Sequence, residues 1–159
     1  MMSAELLEMC RDFRQDMEEL KNQEKLYREM AASLSVSSGS SGGGSGKSDR
    51  TGNFAMKIAG VTEMIAIRNA MHEAEVQAGC MLISSLSGLE AQALHRYYIC
   101  GDDFKLIAKS LGYTVEYIRR KRNQGVDRLP GIVPESFLPR DYEKKLRRYR
   151  AYVTRTFGK

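Results

Sequence analysis

Apolar residues recur every seven positions from the start of the chain. Leu6, Phe13, Leu20, Tyr27 and Leu34 occupy one seam position, and Cys10, Met17, Glu24 and Ala31 the other. Charged residues fill the remaining faces, and neither Pro nor Gly occurs before Gly39. This pattern predicts a coiled-coil-like helix over residues 1–34, weakened locally where Glu24 sits on the seam. A second long helix is expected over residues 54–87. One of its stripes carries Phe54, Ile58, Val61, Ile65, Val76, Leu82 and Leu86, and another carries Met64, Ile67, Met71, Ala74, Ala78 and Met81. Two apolar faces require two neighbours. The polar interruptions Arg68 and His72 are expected at the edge of the first stripe. Residues 35–53 are long for a loop between packed helices and permit antiparallel packing without forcing it.

The pattern changes from residue 88. Leu89 to Ile99 predicts a helix burying Leu89, Ala93, Leu94 and Tyr97 or Tyr98, and Gly101 ends it. Asp102 or Asp103 can cap a second helix with Phe104, Ile107, Ala108 and Leu111 on one face. Gly112 supplies a turn residue free to take a positive φ. Thr114 can cap a third helix with Val115, Ile118, Val126 and Leu129 inward. Two helices crossing steeply through a short turn need a small residue at the approach, a left-handed residue in the turn and an apolar anchor beyond it. Ala108, Gly112 and Ile118 have that spacing, with Ile107, Leu111 and Tyr113 expected to fill the pocket. After this module, residues 131–159 read as a basic helix. Pro139 suits its first turn, Asp141 its positive N-terminal end, and Leu138, Tyr142, Leu146, Tyr149 and Val153 its apolar stripe. Docking of that stripe on the three-helix module is expected. The expected fold is therefore all-α: a long helical hairpin followed by a helix-turn-helix module of residues 88–130 and a basic C-terminal helix.

Composition bears on function mainly through charge. The chain has 159 residues, 42% of them hydrophobic and 28% charged, and a net charge of +5. Residues 1–87 hold 9 Lys/Arg against 12 Asp/Glu, a net charge of −3; residues 88–159 hold 16 against 8, a net charge of +8. A basic half of this kind suits a polyanionic partner. No apolar run is long enough to span a bilayer, and no secretion signal is apparent at the N-terminus. Cys10, Cys80 and Cys100 lack zinc spacing and form no closed disulfide set, which fits a reduced, cytoplasmic compartment. His72 and His95 offer little for a metal or catalytic centre, so neither a metal, a cofactor nor an enzymatic activity is expected.

The stretch "SSGSSGGGSGKSDRTG" ends in Gly46-Lys47-Ser48, as a phosphate-binding loop does. The Gly that such a loop requires five positions before Gly46 is Ser41, and the chain upstream reads as helix rather than strand. The stretch is read as a flexible tether.

The outer face of the third module helix carries Glu116, Arg119, Arg120 and Asn123 at i, i+3, i+4 and i+7. Arg pairs bidentately with guanine and Asn with adenine, while Glu can accept from cytosine N4. The four cations Arg119–Arg122 in sequence would repel one another without an anionic partner. Together with "RYYICGDDFKLIAKSLGYTVEYIRRKRNQGVDRL" these residues resemble DNA-binding region four of bacterial sigma factors. The layout of the whole chain is similar to the small sigma-like regulators encoded by phages of Gram-positive bacteria. The resemblance extends over about Leu89–Leu129 and is loose over residues 1–87. It implies base reading by Glu116, Arg119 and Arg120 and phosphate contact by Thr114 and Arg122. Tyr117 and Lys121 depart from what is usual there; they are assigned to phosphate, and the target sequence does not carry over. Lys144, Lys145, Arg147 and Arg148 of the tail are also assigned to phosphate. The chain has no Trp and no segment suited to melting promoter DNA, so it reads as a regulator rather than a self-sufficient sigma factor.

The implied partners are double-stranded DNA at a promoter-like or operator site, bacterial RNA polymerase, and a second copy of the chain through the N-terminal helices; no membrane is expected. The alternative is the DNA-recognising small subunit of a phage packaging terminase, which also joins a helix-turn-helix to oligomerising helices.

Overall fold

The structure, a computed structural model, describes residues 1–36 and 47–158, with side chains for residues 1–34 and 52–158. Six α-helices are described: α1 (Ser3–Val36), α2 (Lys47–Ile83), α3 (Gly88–Leu94), α4 (Phe104–Leu111), α5 (Val115–Arg128) and α6 (Tyr142–Phe157). A wide π-type turn over His95–Ile99 follows α3, and a 3-10 turn over Glu135–Phe137 precedes α6. Among the described residues there is no strand, only an isolated bridge between Met2 and Ile132. The all-α class expected from the periodicity is the one observed. No helix among the described residues is long and apolar enough to cross a membrane.

Helix ends differ from expectation at both long helices and at α6. Of the residues expected as linker, 35–36 belong to α1 and 47–53 to α2. Once nucleated, a helix gains a hydrogen bond for each added residue, and no proline intervenes. The Gly39–Gly46 part of the expected linker lies outside the described residues. The basic helix expected over 131–159 is shorter, because Pro130, Pro134 and Pro139 lack the N–H that a helix interior requires. Pro139 stands ahead of α6, and its carbonyl accepts from the Tyr142 N–H.

The chain divides into two compact units, Met1–Phe13 with Ala70–Leu146 and Arg14–Asn69 with Arg147–Lys159. In the first unit, Leu6 and Leu7 of α1 pack with Ala78, Leu82 and Ile83 of α2, Leu94 and Tyr98, and Leu129 and Val133. The segment after α5 is tied to the chain start: the Val133 N–H donates to the Met1 carbonyl and the Ser3 N–H to the Gly131 carbonyl. A second cluster joins Ala93, Ile107, Ala108 and Ile118. His72 stacks on Phe13 with ring centroids 3.7 Å apart. Glu75 is buried, and the Tyr142 hydroxyl donates to its carboxylate at 2.7 Å.

In the second unit the contacts run in opposite senses along α1 and α2: Asp16 meets Arg68, Glu24 meets Thr62, and Tyr27 meets Phe54. Arg68, expected at a stripe edge, is fully buried. Its Nε donates to Asp16 Oδ2 at 2.8 Å, and its guanidinium lies 5.7 Å from the Tyr149 ring centroid. A carboxylate and an aromatic face opposite it make that burial tolerable. The expected docking of the basic tail on the three-helix module through Tyr149 is corrected by the same contact. Tyr149 lies against Arg68 of α2, and Arg148 donates to Glu63 at 2.6 Å. Glu24, read as a weak seam position, accepts from both Arg28 and Thr62.

Candidate nucleic-acid interface

The Asp103 carboxylate opens α4 by accepting from the Leu106 N–H at 2.7 Å. Ile107 and Ala108 are buried on its inner face. Gly112 closes it at φ 74 and ψ 31, and its N–H donates to the Ala108 carbonyl. Left-handed backbone favours glycine because a Cβ would crowd the following carbonyl. Two residues later the Thr114 hydroxyl oxygen accepts from the Tyr117 N–H at 3.2 Å and opens α5. The direction of α5 is thus set by two caps and one left-handed residue.

Buttressing holds α5 in place. Ile118 is buried against Ile107, Ala108 and Ala93. Gly125 lets α3 approach closely: a Cβ there would stand 3.0 Å from Leu94 Cδ1. Glu90 of α3 is buried to 7% exposure and takes two cations from α5, Arg128 at 2.7 Å and Lys121 at 3.6 Å. Arg122 points the same way: its Nη1 donates to the Tyr98 hydroxyl at 3.1 Å, and its guanidinium lies 4.9 Å from the Tyr97 ring centroid and 5.4 Å from that of Phe104. From the other direction Arg11 donates to the Tyr97 carbonyl at 2.8 Å and lies 3.7 Å from the same ring centroid. Tyr97 stacks on Phe104 at 4.4 Å and meets Tyr98 edge-on at 4.9 Å. Burial, reinforced by Glu8 and opposed by Arg122, pushes the Tyr98 phenol up to about 12.

The expected base readers Glu116, Arg119, Arg120 and Asn123 are all exposed on α5. Glu116 and Arg119 form a 3.6 Å surface pair. Exposed pairs of this kind contribute about 0–1 kcal/mol and are readily exchanged for other partners. Arg120 lies 5.1 Å from the ring centroid of Tyr117. Tyr117 stacks on Tyr113 at 5.2 Å. Tyr113, expected in the pocket, is 48% exposed, with its ring against Tyr117 of α5.

The expected phosphate contacts are not brought together. Thr114 and Tyr117 are at the start of α5, whereas Lys121 and Arg122 have their charged ends directed at Glu90 and Tyr98. Sequence reading missed this inward use of cations. The signal was present in the Tyr97-Tyr98 doublet and Phe104, whose faces attract guanidinium groups. In α6, Lys144 is exposed and Lys145 pairs with Asp141 at 2.9 Å in the first unit. In the second unit Arg147 is exposed and Arg148 is engaged by Glu63. Lys145 and Asp141 hold each other: hydrogen bonding from Lys145 keeps the Asp141 carboxyl below its usual range.

No family model matches the chain, and neither the curated proteins nor the solved structures include a match to it.

Proposed function

We propose that the chain is a sequence-specific double-stranded-DNA-binding transcription regulator of the phage sigma-like kind, acting in a bacterial cytoplasm with RNA polymerase. The observation that carries this reading is the exposed face of α5. Two arginines, an asparagine and a glutamate stand together on a helix whose direction is set by Asp103, Gly112 and Thr114. A major groove admits one α-helix, and these residue types match the donor and acceptor patterns of base edges. The buried anchors on the opposite side allow α5 to be presented as a rigid rod. Lys121 and Arg122 are then supports that hold the reading face, while Glu116, Arg119, Arg120 and Asn123 do the reading. The exposed Lys144 and Arg147 of α6 supply phosphate contacts.

The test begins with selection of preferred duplexes from a random library by the full chain. Arg119→Ala is expected to weaken the preferred duplex by about 1–3 kcal/mol and random duplex much less. An equal fall on both would make Arg119 a phosphate contact and shift the reading register. A library from which no duplex is enriched would overturn the reading.

A further inference from the structure

A cavity of about 460 Å³ opens in the second unit beside Tyr27 of α1, Asn53, Lys57 and Gly60 of α2, and Arg155 and Thr156 of α6. It lies within the size range of small-molecule sites. Three features set it apart from an ordinary packing gap. Gly60 stands inside a 37-residue helix, where glycine costs about 1 kcal/mol relative to alanine. Nothing lies within 4 Å of where its Cβ would be, so no close helix contact calls for a glycine. Its effect is to leave the cavity floor open. Two cations, Lys57 and Arg155, line the space, and neither has a carboxylate partner among the described residues. Lys57 is instead held 5.6 Å from the Tyr27 ring centroid and 5.2 Å from that of Phe54. A cation held over aromatic faces can exchange that contact for a stronger charge-assisted bond to an anion. The amide of Asn53 and the hydroxyl of Thr156 add donors and acceptors to the lining.

We infer that this cavity binds a small organic phosphate with a planar ring, of nucleoside monophosphate size. The phosphate is taken by Lys57 and Arg155, and the ring lies against Tyr27 in the space left by Gly60. The inference is independent of DNA reading by α5, and it does not use the Gly/Ser stretch.

The experiment is calorimetric titration of the full chain with AMP, GMP, CMP and UMP, alongside adenosine and inorganic phosphate as separate probes. At least one nucleotide is expected to bind saturably and more tightly than either adenosine or phosphate. Lys57→Gln and Arg155→Gln are each expected to weaken it about tenfold, as loss of one charged hydrogen bond would. Gly60→Leu is expected to abolish binding by filling the floor. Gly60→Ala serves as the folding control, because its Cβ meets open space; it is expected to stay folded with binding reduced. The inference is overturned if no nucleotide binds, if phosphate alone binds equally well, or if Gly60→Leu folds and binds as the parent does. Loss of binding in Lys47→Ala with retention in Lys57→Gln would also overturn it, by moving the ligand to the Gly/Ser stretch. So would competition by random duplex DNA, which would make the cations a DNA contact.

Discussion

Arg68 is one of the largest fully enclosed side chains among the described residues. Its charge is tolerable because Asp16 and the Tyr149 ring face it. Removing one partner of such a pair leaves a charge without compensation, so Arg68→Ala is expected to cost about 3–5 kcal/mol, near the lower end because Asp16 is 27% exposed. Replacing both partners by leucine is expected to recover most of the loss, since buried ion pairs are often matched by apolar residues of similar volume. Urea unfolding of Arg68→Leu, Asp16→Leu and the double variant measures the coupling. Tyr98 gives a second residue-scale expectation. Its folded-state phenol lies at about 12, above the ordinary value of 10. The folded state therefore holds the proton more tightly than the unfolded state. The associated stability is fully present below pH 10 and is lost as pH rises through about 12. Burial also raises Tyr149 and Tyr152, so they add to the trend in the same direction. Unfolding midpoints measured across this range should fall, and Tyr98→Phe should flatten the decline.

At the scale of elements, much of each helix is explained by local chemistry. Ser3, Leu6, Leu7, Cys10, Met17 and Leu20 are the buried positions of α1, and most of them lie on the heptad seam. Thr114 and the left-handed Gly112 stand where the sequence places them, and of the two cap candidates Asp102 and Asp103 it is Asp103 that caps α4, because each acts on backbone groups within a few residues. The turn between α4 and α5 is the element most open to a backbone test. At φ 74, with nothing within 4 Å of the missing Cβ, Gly112 is required for its backbone and not for space. Gly112→Ala is expected to cost about 1–2 kcal/mol, and Gly112→Asn less, because asparagine tolerates the left-handed region. Thermal unfolding of both variants checks the order. Along α2 the buried positions centre on one stripe, Val61, Met64, Arg68, Met71, Ala74, Ala78 and Leu82, with Glu75 and Ile83 beside it. The sequence suggested two stripes, because apolar spacing does not distinguish the central row from its flanks when an arginine interrupts it.

At the scale of the whole molecule, α6 has the largest effect on how the function can be tested. It contributes Tyr142 and Leu146 to one unit and Tyr149 and Tyr152 to the other, all buried. Deleting residues 139–159 is therefore a stability experiment more than a binding one. The proposed phosphate role of α6 is better measured by neutralising its exposed cations. The combined variant Lys144→Gln, Arg147→Gln is expected to weaken specific and random duplexes alike and to flatten the salt slope by about 2, at roughly 0.9 per contact. An unchanged slope would assign the tail to a protein partner. Assembly state separates the proposed regulator from the terminase alternative: light scattering should give a monomer or dimer for the former and a large ring for the latter.

The sequence by itself determined the all-α class, most of the α1 seam, the Thr114 cap, the Gly112 turn and the exposure of Glu116, Arg119, Arg120 and Asn123. Each follows from periodicity or from a bond spanning a few residues, so the neighbours that decide it are already adjacent in the chain. Only the tertiary structure decided what the other charges do. Lys121, Arg122 and Arg148 read alike as basic residues available for phosphate. Glu90, Tyr98 and Glu63 take them up instead. Likewise Arg68 became a core residue only because α1 and α6 bring Asp16 and Tyr149 to it. A cation is directed by whatever stands opposite it, and that partner is distant in sequence until the helices pack.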